Sequence, residues 1–346
     1  MHINQFKLTN FRNISQVDIS VEGADIVALY GENGAGKTSV LEALALLSPG
    51  RGMHRSPLES HIKKGENTWA THTNLTLQNE HRTLGQSYTK GKRSVKVDDE
   101  ALKSQSELSE LGNVLWLTPK MDRLFMDGTA PRREFLDRLV FSIHPNHAKL
   151  MATYKHHMKS RLKLLKERAD SDWITLEEQQ AAALAEKIEA NRADYLALFN
   201  NHKEGISLKF SNTGEDYLET WKAERNKDAR FGKTHTGPHR LHVSGVLEPE
   251  GIKLEQTSTG QHKRAVLNIL LTNARLIAAQ SGKPPLLLMD EIAAHLDLKT
   301  RQHFFHTFTK LGSQIWLTGT EKDLFDGLQN CQIIHVQNGT FSHSTL

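Results

Sequence analysis

Apolar positions along the chain change period several times, and each change marks an element. Ile26-Val27-Ala28-Leu29-Tyr30 is a continuous apolar run of strand length. After a glycine-rich stretch, Val40, Leu41, Leu44 and Leu47 recur at helical spacing and predict a helix over 38–47 that packs on a sheet. Alternation at Thr73, Leu75 and Leu77, and again at Val95 and Val97, predicts an antiparallel meander between Thr68 and Val97. Residues 148–168 are basic with a helical pattern. Thr175-Leu176-Glu177-Glu178 has the form of a capping box, predicting a helix from there to about Asn200 with Leu184, Ile188, Tyr195 and Leu198 on its apolar side. Two helices of this length make a short antiparallel arm or lid rather than a long coiled coil. Val266, Ile269, Leu270, Ala274 and Ile277 predict another long helix, Leu286-Leu287-Leu288-Met289 a buried parallel strand, and Ile333-Ile334-His335-Val336 the last sheet strand.

The stretch between the first strand and its helix, Gly31-Glu32-Asn33-Gly34-Ala35-Gly36-Lys37-Thr38, fits G-x-x-x-x-G-K-[ST] in the context that phosphate-binding pattern requires. Glycines let the backbone curl until several N–H groups and a helix N-terminus point at one polyphosphate. Lys37 adds a full positive charge near the terminal phosphates, and Thr38 offers a hydroxyl to magnesium, a cation that prefers oxygen ligands. The strand at Leu286–Met289 ends in Asp290-Glu291, which beside a phosphate loop reads as a Walker B pair. Asp290 would hold the magnesium through water and Glu291 would polarise the attacking water, because phosphoryl transfer needs positioning and charge stabilisation more than covalent chemistry.

Ser258-Thr259-Gly260-Gln261 opens the helix that precedes this strand. Taken alone, such a turn is a helix cap more often than a site, although a helix start is also an anion site. Its position about thirty residues before Asp290 makes it resemble the signature motif of the ABC class of ATPases. That resemblance implies that the signature of one subunit closes on the γ-phosphate held by another, and that Asp297 in His295-Leu296-Asp297 is the class's D-loop residue. Ile315-Trp316-Leu317-Thr318-Gly319-Thr320 offers threonines where the class places a switch histidine, which implies slow turnover suited to a switch.

The flanking segments narrow the branch. Phe6-Lys7-Leu8-Thr9-Asn10-Phe11-Arg12-Asn13 resembles the opening strand of the SMC and RecF group. Leu47-Ser48-Pro49-Gly50-Arg51-Gly52, Thr129-Ala130-Pro131-Arg132-Arg133-Glu134-Phe135-Leu136-Asp137, His144-Pro145 and Gly237-Pro238-His239-Arg240 are similar, in order, to segments of the RecF family. The resemblance spans essentially the whole chain. It departs after Gly-Pro-His-Arg, where Leu241-His242 stand in place of the family's usual acidic residue. It implies an α/β ABC-type, SMC-like ATPase head with an inserted helical arm. It further implies ATP and magnesium as cofactors, and a homodimer that forms on ATP binding. Arg12 and Asn13 would approach the nucleotide, joining Gly31, Asn33, Gly34, Ala35, Gly36, Lys37, Thr38 and Ser39. The family's known biology adds duplex DNA near single-strand gaps or junctions, RecR with RecO as partners, help in placing RecA during recombinational repair and the SOS response, and weak DNA-stimulated hydrolysis.

About two hundred and twenty residues separate the loop from the signature, more than one parallel sheet needs. The expected organisation is therefore a head from residues 1–125 and 232–346 and an inserted arm from 126–231. A net charge of +4 permits an anionic partner without establishing one, and a single cysteine, Cys331, fits a reducing cytoplasm. No apolar run reaches bilayer length and no charged-then-apolar leader opens the chain, so no membrane partner is expected. Lys63-Lys64, Lys90 to Arg93, Arg132-Arg133 and the series Lys155, Lys159, Arg161, Lys163 and Lys166 are candidate phosphate contacts or solvated faces. Arg132-Arg133 is also open to a role in the fold or the dimer. The His144, His147 and His156-His157 pairs lack the ligand spacing of a zinc site. The other readings are a nucleotide-gated scaffold or a transporter-like ATPase subunit without a DNA role.

Overall fold

The computed structural model describes residues 1–21, 23–202, 205–211, 216–291 and 298–343. In chain order the elements are β1 (His2–Phe11), β2 (Ile14–Ser20), β3 (Ile26–Tyr30), α1 (Lys37–Ala45), β4 (Thr68–Leu77), β5 (Glu80–Thr89), β6 (Lys92–Val97), β7 (Glu100–Ala101), α2 (Leu108–Leu111) and β8 (Val114–Leu117). There follow α3 (Thr129–Ile143), α4 (His147–Glu167), α5 (Ser171–Asn201), β9 (Ile206–Ser211), α6 (Tyr217–Phe231), β10 (His242–Leu247), β11 (Ile252–Lys253) and α7 (Thr259–Ser281). The last elements are β12 (Leu286–Met289), α8 (Leu298–Lys310), β13 (Ile315–Gly319), β14 (Cys331–Gln337) and β15 (Thr340–His343). They form two compact units, Met1–Asp122 with Asn273–Leu346, and Arg123–Thr272.

The first unit holds two sheets. One has the order β15-β14-β3-β13-β12-β8, with β14, β3, β13, β12 and β8 parallel and β15 antiparallel at the edge. Its central strands are apolar on both faces: Val27, Ala28 and Leu29, Leu286 to Met289, and Ile315 to Leu317 are all buried, as strands covered on two sides must be. The other sheet, β2-β1-β4-β5-β6-β7, is antiparallel and contains the expected meander. Its hairpins turn on Gln78-Asn79, Lys90-Gly91 and Asp98-Asp99, where both residues of each pair have positive φ, the backbone of two-residue turns that match strand twist. Helix α1 lies against β1 of one sheet and against β8, β12 and β13 of the other, with Val40, Leu41 and Leu44 wholly buried.

In the second unit α4 and α5 are antiparallel: Asn191 bonds Asn146, His157 contacts Glu177, and Arg161 bonds Glu178. Helix α5 starts earlier than its sequence suggests. Asp170 caps it by accepting from the Asp172 amide at 2.7 Å, while Thr175 lies inside the helix and donates to the Ser171 carbonyl at 2.8 Å. Its buried stripe runs Ile174, Glu178, Ala181, Ala185, Ile188, Arg192, Tyr195 and Phe199. Leu184 and Leu198, expected on that side, are only half-buried, because two charged residues occupy the interior positions. Ala181 and Ala185 allow close approach to Met151, Tyr154 and Met158 of α4 and to Tyr217 and Trp221 of α6. Residues 232–272, expected in the head, pack in this second unit: β10 pairs with β9 and β11, and Arg132 bonds Glu255.

The interior of this unit is charged. Arg161 is fully buried and donates to Glu178 at 2.9 Å, Asp228 at 2.7 Å, Thr234 at 3.1 Å and the Trp221 carbonyl at 2.8 Å. Glu178 also receives Arg225, and Asp137 receives Arg192 and contacts His147. Breaking one partner of a buried pair leaves an uncompensated charge. Arg161→Ala is therefore expected to destabilise the unit by about 3–5 kcal/mol, whereas Lys163→Ala on the exposed side of α4 changes it by about 0.5 kcal/mol or less, both read from urea unfolding.

Two histidines, His61 buried and His239 half-buried, are held below their ordinary value. His61, stacked on Phe11 at 4.9 Å, is lowered to about 4 by burial and by the nearby charges of Arg12 and His54. His239 is lowered to about 4 by burial and by Arg240 and Arg133, against the opposing bond to the Thr234 carbonyl. In both cases the unfolded chain binds protons between about pH 6.5 and 4 that the folded chain does not, so stability rises with pH across that window and is lost on acidification through it. Urea midpoints measured from pH 7 to 4 are expected to fall, and less steeply in His61→Leu.

Candidate nucleotide site

Parallel pairing brings the chemistry to one edge. Ala28 of β3 and Met289 of β12 both lie opposite Leu317 of β13, so the loop after Tyr30, the carboxylates after Met289 and Thr318 emerge together at the carboxyl ends of adjacent strands. The loop needs its glycines. Gly31, Gly34 and Gly36 have φ of 149°, 82° and 117°, and a Cβ on Gly31 would stand 2.1 Å from the Val336 carbonyl oxygen. Helix α1 begins at Lys37 with no side-chain cap and no acidic residue in its first turn, which leaves its N-terminal amides to an anionic ligand.

Lys37 is 4% exposed, and its ammonium donates to the Gly31 carbonyl at 2.7 Å and the Glu32 carbonyl at 2.8 Å. Burial lowers its pKa, opposed by the charges of Glu291 and Asp290. A cation so poorly hydrated interacts strongly with a phosphate brought beside it. Asn33 and Gly34 are exposed at the loop's crest, and the Ala35 carbonyl accepts from the Gly339 amide at 2.9 Å. Asn13 braces the loop by donating to the Gly34 carbonyl at 2.9 Å and accepting from Ser39 Oγ at 3.0 Å. The Arg12 guanidinium is taken up by Glu42, through two bonds at 3.0 and 2.8 Å, and by Ser56 at 3.4 Å.

Thr38 Oγ1 donates to Asp290 Oδ1 at 2.9 Å, and Thr318 Oγ1 donates to the same oxygen at 2.8 Å. With its proton committed to Asp290, the Thr38 hydroxyl keeps lone pairs for a cation, and a hydroxyl beside a carboxylate is the hard oxygen set that magnesium takes. The donor set therefore fits a magnesium nucleotide. Glu291 follows with φ 54°, and its amide donates to Thr318 Oγ1 at 2.8 Å. Motif reading named Thr318 only among the threonines that stand in place of a switch histidine; its contact with Asp290 comes from the register of β13 beside β12. Asp297 lies outside the described residues.

Ser258, Thr259, Gly260 and Gln261 form a reciprocal cap in the second unit. The Ser258 amide donates to Gln261 Oε1 at 3.0 Å and the Gln261 amide to Ser258 Oγ at 3.4 Å. Thr259 and Gly260 are exposed, and nothing lies within 4 Å of a Cβ built on Gly260. Behind the cap, buried His262 accepts the Phe125 amide at 3.1 Å through Nε2. Among the basic candidates, Arg161 is fully buried, Arg132 is 6% exposed and bonded to Glu255 and the Phe125 and Asp127 carbonyls, and Arg133 bonds the Leu241 carbonyl at 3.1 Å. Arg93 is held by the Gly50 carbonyl and Gln86. Lys155, Lys159, Lys163 and Lys166 remain exposed along α4.

This sheet order, with a phosphate loop and paired carboxylates at the ends of two strands that flank β13, defines an ABC-type ATPase. The family model described as RecF/RecN/SMC N terminal domain matches residues 2–342. The DNA replication and repair protein RecF of Allorhizobium ampelinum is 34% identical, with 98% of each chain covered. RecF of Brucella suis is 34% identical over 97% of this chain and 95% of its own. The chain belongs to the RecF family. A solved structure of the recombination mediator protein RecF with ATPγS in the RecFOR pathway has the same fold, with a TM-score of 0.86, 22% identity and 99% and 98% of the two chains covered. An SMC head domain of Pyrococcus furiosus bound to part of ScpA aligns with a TM-score of 0.54 at 16% identity, covering 100% and 96%.

The loop geometry separates two substitutions. Gly31→Ala drives a methyl group into the Val336 carbonyl and is expected to destabilise the first unit by several kcal/mol. At Gly34, which has open space but positive φ, alanine is expected to cost only about 1–3 kcal/mol. Thermal melts followed by circular dichroism would separate the two.

Proposed function

We propose that the chain is an ATP-switched, DNA-binding protein of replication and recombinational repair, acting in the cytoplasm as a magnesium-dependent homodimer. The observation that carries this reading is the convergence of Thr38 and Asp290 beside the buried ammonium of Lys37. Bound magnesium ATP would supply an electrophilic γ-phosphate and the charge that screens it. Lys37 and the amides of residues 33–38 would hold the phosphates, Asn13 and Ser39 would keep the loop in shape, and Thr38 and Asp290 would hold the cation. Glu291 would orient a water and take its proton. Ser258 and Gly260, on an exposed helix start, would complete the site of a second copy, with Asp297 in the same interface.

Membership of a family whose curated relatives are named DNA replication and repair proteins supports the DNA role. The exposed lysine row of α4 supplies phosphate contacts, while buried Arg132 and Arg161 are removed from that role. The DNA would be duplex near a single-strand gap or junction, and RecR with RecO the protein partners that connect the complex to RecA loading and the SOS response. Sedimentation with ATP, magnesium and gapped duplex DNA tests the reading. Wild type is expected to dimerise and Ser258→Arg to stay monomeric. Glu291→Gln should dimerise persistently with turnover reduced by about a hundredfold or more, equivalent to ~2.7 kcal/mol. A wild type that binds DNA as a monomer whatever the nucleotide overturns it.

A further inference from the structure

Thr318 is the penultimate residue of β13, which lies between the strand that leads into the phosphate loop and the strand that leads into the carboxylates. It is fully buried, and its hydroxyl is committed on both sides. The proton goes to Asp290 Oδ1 at 2.8 Å, and a lone pair accepts the Glu291 amide at 2.8 Å. Asp290 Oδ1 thus accepts two hydroxyls, one from Thr38 and one from Thr318. Two donors converging on one oxygen fix the rotation of the carboxylate, so that Oδ2 is the oxygen presented to a hydrated cation. The Glu291 amide bond acts on the backbone. At φ 54° Glu291 sits in the left-handed region that non-glycine residues seldom occupy, and such a conformation persists only where its surroundings over-determine it.

We propose that Thr318 is a positioning residue that couples the two carboxylates, setting the Asp290 rotamer for the metal and the Glu291 backbone for the attacking water through one hydroxyl. This rests on the ATPase reading above. A β-branched side chain suits the task, because its χ1 is stiff.

The test compares wild type, Thr318→Val, which keeps the shape and loses the oxygen, and Thr318→Ser, which restores the oxygen. Binding of a fluorescent ATP analogue is measured with magnesium and with chelator, and hydrolysis is followed across a magnesium titration. Thr318→Val is expected to bind the analogue in chelator within about threefold of wild type and to lose most of the gain in affinity that magnesium confers. Its turnover is expected to fall about tenfold or more, equivalent to ~1.4 kcal/mol. Thr318→Ser should recover both properties to within about threefold. A Val variant with wild-type magnesium dependence and turnover overturns the proposal. So does a Ser variant as impaired as Val, which would assign the position to packing. If wild type shows no magnesium-dependent nucleotide binding, the ATPase reading fails instead, and that outcome is visible in the same titration.

Discussion

The site depends on β13 lying in parallel register between β3 and β12. That register brings together residues far apart in the chain: Thr38 and Asp290 are separated by 252 positions, yet their side chains are 2.9 Å from each other. Each strand contributes a few wholly apolar residues, and burying them on both faces holds the carboxyl ends in one row. A slip of a single residue in either pairing would turn Asp290 or Thr318 to the opposite face and dissolve the cluster. The long excursion between the two ends adds little to this cost, because loop-closure entropy grows only logarithmically, by about 0.6 kcal/mol per doubling of length. A sheet of this kind can therefore carry a second folded unit between its strands without disturbing the chemistry at their ends.

That second unit is held by another kind of interaction. Its helices meet over alanines and aromatic rings, but the residues that fix their mutual register are buried ions: Arg161 with Glu178 and Asp228, and Arg192 with Asp137. Buried pairs add little net stability over apolar packing, yet mismatching them is costly. Two of the segments that mark the family, Thr129–Asp137 and Gly237–Arg240, lie in this network. Asp137 from Thr129–Asp137 receives Arg192, whose guanidinium also donates to the carbonyl of Pro238 in Gly237–Arg240, and Arg240 bonds the Thr234 carbonyl. These segments join distant parts of the unit, so a change in one requires a matching change in another.

The head was largely legible because its signals are local. A strand, a glycine loop, Lys37-Thr38 and an apolar helix stand in immediate succession, and the meander is written in alternation and in turn pairs such as Lys90-Gly91. The start of α5 was misread because Thr175-Glu178 satisfies the capping-box pattern, while the cap, Asp170, lies five residues earlier. Glu178 was read as the acid of a capping box but is an interior ion, and nothing within its own helix reveals that Arg161 and Arg225 arrive from two others. The assignment of 232–272 failed for the same reason, since β10 pairs with β9 across a break in the helical pattern. Thr318 was hidden differently: a threonine at a strand end is common, and only the register of three strands aims its hydroxyl at Asp290.

A hydroxyl at this place has chemical consequences. Thr318 is neutral, its proton committed to the Asp290 carboxylate and a lone pair to the Glu291 amide, so on the proposal above it organises the metal and water sides of the site but supplies no positive charge to a departing phosphate. Within the head, that charge rests on Lys37 and the start of α1, and a cation taken by Thr38 and Asp290 would add to it. The donors that complete such a site then have to come from elsewhere. The exposed cap at Ser258–Gln261 has the right character, a helix start with its amides at the surface and a glycine beside them. On the proposed pairing, such a site would be poised when alone and completed by the second copy, and assembly would set when hydrolysis occurs. Slow turnover would then follow from that division of labour, and under the proposed function the time between closing and hydrolysis would be the interval during which DNA is held.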